Sequence, residues 1–139
     1  MTHASRDTTT GLLFEERVKI QKEGIDVTKH NLYRYLKNKG IDYTTLISKK
    51  LLPDEAYICN DELRVYEKKF QQTAGSADEK PQTCAFKIFE YQKIANALGL
   101  KKATYTYIFN DWFKKPEYKD MLDYIKSVEG CNYFFYEGE

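Results

Sequence analysis

Three charged residues, at the far ends of two neighbouring strand-like segments, have the types and spacing that phosphate chemistry needs. Asp54 follows Pro53 at the start of the first segment, and Glu67 and Lys69 close the second. Because side chains alternate along a strand, Glu67 and Lys69 lie on one face. Pairing of the two segments brings Asp54 towards Glu67, since both are far from the connecting turn. Two carboxylates and one ammonium group suit a divalent cation beside a phosphodiester.

The Glu-x-Lys triplet also has an ordinary explanation as a solvated strand end. A second triplet, at residues 117–119, falls in the first turn of a predicted helix, where surface charge is usual. Glu67 and Lys69 differ in context because they continue the apolar face begun by Leu63 and Val65. An apolar face that becomes charged predicts a site at the rim of the core.

Asp54 and Glu67 would hold Mg²⁺ together with a backbone carbonyl, for which Lys68 is the natural donor, because Mg²⁺ prefers oxygen ligands and retains waters. The cation would polarise a phosphate and lower the pKa of a bound water. Lys69 would stabilise the developing charge or position that water, and Lys68 competes with it as a phosphate contact. Asp54 could instead be a turn residue after a proline. Glu55 could replace it only from the other face of the strand.

Composition describes an ordinary globular chain. Its 139 residues predict a polar, flexible start over residues 1–10 and a single domain over 11–139. The net charge of +1 is not that of a strongly basic nucleic-acid binder, although it does not exclude one. Three widely spaced cysteines argue against a disulfide framework and a zinc site, and favour a reducing, cytoplasmic setting. No apolar segment approaches membrane-spanning length.

Hydrophobic periodicity predicts helices and strands that alternate in the second half of the chain. The predicted helices cover residues 11–23, 28–38, 82–98 and 116–128. The predicted strands cover residues 55–59, 62–72, 103–109 and 131–136, with a tight turn at 60–61 and an ambiguous segment at 43–52. This order predicts a mixed α/β sheet with helices on both sides and at least one parallel strand pair.

Several side-chain assignments accompany these elements. Thr28 is the expected cap of the second helix. The third helix is expected to turn four apolar residues inward: Phe86, Phe89, Ile94 and Leu98. Trp112 is expected to be buried beneath the last helix, although its loop could instead stack on DNA or form a dimer contact. The basic helix 28–38 could lie along a DNA backbone, and a solvated face is an equal alternative.

The order of these elements and charged residues resembles the PD-(D/E)XK nuclease superfamily, to which many restriction endonucleases belong. The family core is helix–strand–strand–strand–helix–strand, so the resemblance implies a restriction-endonuclease-like α/β fold with an added C-terminal helix and strand. The segment Gly11-Leu12-Leu13-Phe14-Glu15-Glu16-Arg17-Val18 is similar to the Gly-x-x-Phe-Glu-x-x-Val pattern of the family's first helix. This similarity nominates Glu15 as a catalytic acid, with Glu16 as its substitute and an ordinary amphipathic helix as the alternative.

The segment after the triplet adds to the resemblance. Some restriction endonucleases carry a Gln two residues on, then a Gly-Ser loop and a Glu-Lys pair before the long helix. Gln71, Gly75-Ser76 and Glu79-Lys80 look similar. Gln71 would reach metal-bound waters or DNA, and the loop would approach a phosphate. A simple flexible loop is the alternative.

The resemblance implies a Mg²⁺-dependent DNA endonuclease, with Mn²⁺ able to substitute, in a restriction-type role in the cytoplasm. Cleavage of both strands would favour a homodimer. One alternative is a structure-selective repair or junction nuclease on the same fold. A second is a catalytically silent DNA-binding or interaction module, which the near-neutral charge favours. A third is an unrelated α/β protein in which Glu-x-Lys arises by chance.

Overall fold

The computed structural model describes residues 23–71 and 81–136, in which five strands form one mixed sheet. In spatial order the strands are β1 (Ile25–Asp26), β2 (Glu55–Cys59), β3 (Glu62–Lys69), β4 (Lys102–Phe109) and β5 (Cys131–Phe135). The β1–β2 and β2–β3 pairs are antiparallel, whereas β3–β4 and β4–β5 are parallel. The predicted mixed α/β sheet is therefore confirmed.

Three α-helices accompany the sheet: α1 (Asn31–Asn38), α2 (Cys84–Ala97) and α3 (Lys119–Ser127). Helices α2 and α3 form the crossovers of the two parallel strand pairs. Leu32 of α1, Ile94 of α2 and Ile125 of α3 are fully buried in one core with Val65 and Tyr105 of the sheet. The described helices thus share one face of the sheet, so the predicted placement of helices on both sides is not found among the described residues. The predicted helix 11–23 lies outside the described residues, as does nearly all of the loop before α2. None of the described helices is long and apolar enough to span a membrane.

A tight hairpin turn sets the register of β2 and β3. Asn60 and Asp61 have φ angles of 53° and 65°. Two central residues with positive φ are typical of the type I′ turn, whose twist matches that of the flanking strands. The register pairs Cys59 with Glu62 at the turn and Glu55 with Tyr66 at the far end. This hairpin was predicted from the sequence and is confirmed.

The first part of the chain departs from the sequence prediction. Residues 43–52 form no strand: the segment contains only a short 3₁₀ turn at Tyr43–Thr45, and the additional strand is Ile25–Asp26. A two-residue strand is too short to give an alternating pattern. Thr28 was wrongly predicted to cap the second helix, which begins at Asn31 without a side-chain cap. The Thr28 hydroxyl instead accepts a hydrogen bond from the backbone N–H of Ala56 at 3.1 Å.

Two aromatic residues of α2 were also assigned to the wrong face. Phe86 and Phe89 are each 57% exposed, whereas Cys84, Tyr91 and Ile94 face the core. The stripe of α2 that begins at Cys84 also holds Tyr91, Ile94 and Ala95, and Tyr91 stacks on Tyr105 of β4. Hydrophobicity along the helix alone does not show which stripe meets the aromatic rings of β4.

The C-terminal elements follow the predicted order with shifted boundaries. Strand β3 ends at Lys69, and α3 is preceded by a 3₁₀ turn at Pro116–Tyr118. Trp112 is half-buried and donates a hydrogen bond from Nε1 to the Tyr118 hydroxyl at 2.8 Å, whereas its neighbour Phe113 is the fully buried ring.

Substitution of Gly24 should destabilise the fold through a steric clash. Gly24 has a φ of +98°, and a Cβ atom there would lie 2.6 Å from the carbonyl oxygen of Ile58 in β2. Gly40 is a matched control because its φ is +76° and a Cβ atom would meet nothing within 4 Å. We expect Gly40→Ala to cost about 1 kcal/mol of unfolding free energy and Gly24→Ala about 2 kcal/mol or more. Urea unfolding measures both, and equal losses would contradict the clash.

Candidate active site

Asp54 and Glu67 meet where β2 begins and β3 ends. Since Glu55 pairs with Tyr66, one further step along the antiparallel ladder places Asp54 opposite Glu67. The backbone N–H of Asp54 donates to Glu67 Oε2 at 3.0 Å. The backbone N–H of Lys68 donates to Asp54 Oδ2 at 2.9 Å. These two reciprocal bonds hold the carboxylates side by side.

The environment of Glu67 disfavours its negative charge. Burial raises the pKa of Glu67 to about 7, and the nearby Asp54 carboxylate adds to the increase. The Asp54 N–H bond and the charge of Lys69 act in the opposite direction without cancelling it. Burial and an adjacent carboxylate both favour the protonated form of a carboxyl. A positive charge placed beside the pair would favour the ionised form.

Lys69 lies on the same face of β3 as Glu67. In the parallel ladder Glu67 pairs with Tyr107 and Lys69 pairs with Phe109, so the two side chains emerge two residues apart on one side of the sheet. Lys69 is half-buried, and its positive charge lowers the pKa of Glu67. An ammonium group therefore stands beside the carboxylate pair.

Lys68 points to the opposite face of the sheet. Its Nζ lies 2.5 Å from Glu55 Oε2, and both side chains are only 5% exposed. The Tyr57 hydroxyl donates to Glu55 Oε1 at 2.7 Å. The Lys68 ammonium group thus belongs to a buried ion pair. This placement argues against the prediction that Lys68 competes with Lys69 for a phosphate. Glu55 likewise lies away from the Asp54–Glu67 pair. The Lys68 carbonyl as a metal ligand stays a prediction.

Gln71 is held at the end of the sheet through its backbone. Its N–H donates to Asn110 Oδ1 at 3.1 Å, and Asn110 Nδ2 donates to the Gln71 carbonyl at 2.7 Å. This clamp ties the exit of β3 to the exit of β4. The catalytic role of Gln71 stays a prediction, and Glu15, Glu16 and the Gly75-Ser76 loop lie outside the described residues.

Sequence reasoning missed Tyr105 and Tyr91. The Tyr105 hydroxyl donates to Glu67 Oε1 at 3.4 Å, and its ring stacks on Tyr91 with centroids 5.8 Å apart. Burial raises the pKa of both hydroxyls, so they remain neutral donors. The alternation Ala-Thr-Tyr-Thr-Tyr in β4 places Tyr105 on one face of that strand. Only the β3–β4 register shows that this face is the one that carries Glu67.

The donor set around this pair is small. Within residues 23–71 and 81–136, no group of three or more His, Cys, Asp or Glu side chains could hold a metal ion. A cation here would take the carboxylates of Asp54 and Glu67 and complete its coordination with backbone oxygens or waters, as Mg²⁺ commonly does. The residues present therefore fit Mg²⁺ and do not form a complete protein cage.

Comparison with protein-family models, curated proteins and solved structures finds no match for this chain. Any activity of this chain must therefore be inferred from the residues of the site.

Glu67 should make the stability of the protein depend on pH. Because its pKa rises from 4.5 to about 7 on folding, the native state binds more protons than the unfolded state between these values. The unfolding free energy should therefore fall as pH rises from about 4.5 to about 7. Glu67→Gln should remove this slope and stabilise the protein at pH 8 by about 1–3 kcal/mol. Chemical denaturation in EDTA across this pH range measures it.

Glu117→Gln is the matched control, because Glu117 belongs to the second Glu-x-Lys triplet and is exposed. This variant should keep the wild-type pH profile. If Glu67→Gln leaves the dependence of the unfolding free energy on pH unchanged, the pKa of Glu67 in the folded wild-type protein is not raised.

Proposed function

We propose that this chain is a Mg²⁺-dependent deoxyribonuclease of the PD-(D/E)XK type. The observation that carries the proposal is the contact between Asp54 and Glu67 with Lys69 two residues further along the same face. These are the residue types that bind a divalent cation and stabilise charge on a phosphodiester. The raised pKa of Glu67, which is due first to burial and then to the Asp54 carboxylate, supports it, because a cation beside both carboxylates would favour their charged forms.

The strand arrangement also supports the proposal. The first four strands run in the order β1-β2-β3-β4, with two antiparallel pairs followed by one parallel pair, and α2 connects β3 to β4. This order is compatible with the strand–strand–strand–helix–strand order that the resemblance implies, when α1 is taken as an insertion after β1 and α3 and β5 as additions at the end. The candidate residues lie at the ends of β2 and β3, where the resemblance places them.

Each residue has a defined part in the proposed reaction. Asp54 and Glu67 bind the cation, which when bound supplies Lewis acidity and a water of lowered pKa. Lys69 stabilises the negative charge that develops on the scissile phosphate. The N–H groups of Asp54 and Lys68 keep both carboxylates oriented for binding. Glu15 would assist from the predicted helix 11–23, and Gln71 contacts metal-bound water or DNA.

The biological setting belongs to the same proposal. The substrate is DNA, the role is of the restriction type in the cytoplasm, and a homodimer would cut both strands. Structure-selective cleavage of repair intermediates or junctions is the variant that would use the same site. The catalytically silent module is favoured only by the net charge of +1 and is an outcome of the experiments below.

Plasmid cleavage tests the reaction. We expect nicking or fragmentation of plasmid DNA in Mg²⁺ or Mn²⁺ and none in EDTA. Glu67→Ala and Lys69→Ala should each lower the rate by about 100-fold or more, because each removes a group that acts on developing charge. Lys119→Ala, from the exposed second triplet, should cleave at the wild-type rate. Cleavage that persists in EDTA or survives both substitutions would contradict the mechanism.

Calorimetric titration tests the metal site separately from the reaction. We expect Mg²⁺ and Mn²⁺ to bind the wild-type protein and raise its melting temperature. Asp54→Ala should weaken binding by at least about tenfold, since loss of even an outer partner of a metal ligand costs about that much. Glu117→Ala should bind as wild type. If Asp54→Ala binds as well as wild type, the silent module becomes the better interpretation.

A further inference from the structure

A cavity of about 460 Å³ lies between α1 and the segment that follows it. Residues of the helix, the 3₁₀ turn and the chain beyond form its walls, chiefly Tyr33, Leu36, Lys37, Ile41, Tyr43 and Lys50. A volume of this size is in the range of pockets that enclose a small ligand or one residue of a polymer. Asp54, Glu67 and Lys69 are not among its lining residues, so the cavity is distinct from the candidate active site.

The rings of Tyr33 and Tyr43 and the ammonium group of Lys50 lie together in the wall of the pocket. The rings of Tyr33 and Tyr43 meet edge to face with centroids 5.2 Å apart. Lys50 Nζ lies 5.2 Å from the centroid of the Tyr33 ring and 5.3 Å from that of the Tyr43 ring. An aromatic surface next to a cation is the combination that proteins use to stack a base and bind its phosphate.

The surroundings of the pocket favour an anion. Lys37 and Lys50 line it and are exposed. Four further exposed residues in the same stretch of chain are basic: Lys29, Arg34, Lys39 and Lys49. One acid, Asp42, lines the wall, but its Oδ1 accepts hydrogen bonds from the backbone N–H and the hydroxyl of Thr44. Those bonds fix the carboxylate against the 3₁₀ turn and lower its pKa, so Asp42 stays negatively charged and offsets one of the two lining lysines.

The pocket is tied to the segment that carries Asp54. The Tyr33 hydroxyl donates to the Leu51 carbonyl at 2.6 Å and accepts from the Leu51 N–H at 2.7 Å. Burial raises the pKa of Tyr33 to about 12, so this hydroxyl stays protonated at neutral pH. The N–H of Lys29 donates to the Pro53 carbonyl at 3.0 Å. Leu51 and Asp54 are three residues apart, a span of at most about 11 Å.

We propose that this pocket binds one nucleotide of a DNA strand, with its base unstacked from its neighbours, next to the candidate active site. Tyr43 stacks on the base, and Lys37 and Lys50 contact the adjoining phosphates. Stacking tolerates every base because each has a π face, so the pocket positions the strand without reading its sequence. The inference rests on the proposed function in taking DNA as the polymer, and it adds how the strand is held.

Binding of a short, fluorescently labelled single-stranded oligodeoxynucleotide to the full chain in EDTA tests the pocket. An abasic oligonucleotide of the same length carries the same phosphates without bases. We expect the base-bearing strand to bind about 5- to 150-fold more tightly than the abasic strand. Tyr43→Ala should remove most of that ratio, and Lys50→Ala should weaken binding of both strands.

Matched controls use similar side chains elsewhere on the surface. Lys126 Nζ lies 5.0 Å from the centroid of the Tyr133 ring, much as Lys50 lies over its own tyrosines. Tyr124 is 41% exposed on α3. Lys126→Ala and Tyr124→Ala should bind both strands as wild type does. Lys50 is exposed, so Lys50→Ala tests the pocket even if Tyr43→Ala fails to fold.

Equal affinity for the two strands, or wild-type affinity in both pocket variants, would overturn the proposal. Deoxyadenosine monophosphate binding as tightly as the oligonucleotide would also overturn it, because the ligand would then be a free nucleotide. The EDTA condition separates this inference from the reaction. Pocket-dependent binding without cleavage in Mg²⁺ rejects only the nuclease, whereas cleavage with pocket-independent binding rejects only the pocket.

Discussion

The register between β2 and β3 is the constraint on which the candidate site depends. It is set by two residues with positive φ, Asn60 and Asp61, at the opposite end of the hairpin. A slip of one residue would exchange the two faces of β3. Lys68 would then stand beside Asp54, and Glu67 and Lys69 would face away. The reciprocal N–H bonds of Asp54 and Lys68 form only in the observed register, so they reinforce at the open end what the turn imposes at the closed end.

Tyrosine explains how a polar site can border this core. Tyr91, Tyr105 and Tyr107 are almost completely buried, yet each carries a hydroxyl that must find a partner. Tyr105 directs its hydroxyl to Glu67. The rings provide apolar packing beneath the strands, and the hydroxyls provide neutral donors at the rim. Burial raises the pKa of the Glu67 carboxyl by removing water from it, whereas a hydroxyl that donates to a carboxylate oxygen favours the charged form.

The parts of the fold that local sequence determines were predictable. The β2–β3 hairpin follows from alternation on both sides of Asn60-Asp61, and the neighbourhood of Asp54 and Glu67 follows from that hairpin. The inward face of α2 was not predictable, because it depends on contacts with aromatic rings of β4, which are distant in sequence. Tyr91 makes such a contact, whereas Phe86 and Phe89 are exposed. Thr28 was misassigned for the same reason, since its partner Ala56 comes from another element. The hydrogen bond from Tyr105 to Glu67 required knowledge of the β3–β4 register.

The buried ion pair of Lys68 with Glu55 and the proposed role of Lys69 make two adjacent lysines important for different reasons. Removing one partner of such a pair strands a charge inside the protein, at a cost of about 3–5 kcal/mol, a large share of a domain's total stability. Loss of Lys69 takes a positive charge away from Glu67, but that carboxyl can take up a proton because its pKa is already raised to about 7. If Lys69 acts as proposed, a mutational survey scored by biological activity alone would rank the two positions alike, whereas one scored by cellular abundance would separate them. Within this strand, a substitution at one lysine would reduce the amount of folded protein, and a substitution at the next would reduce the proposed activity of each folded molecule.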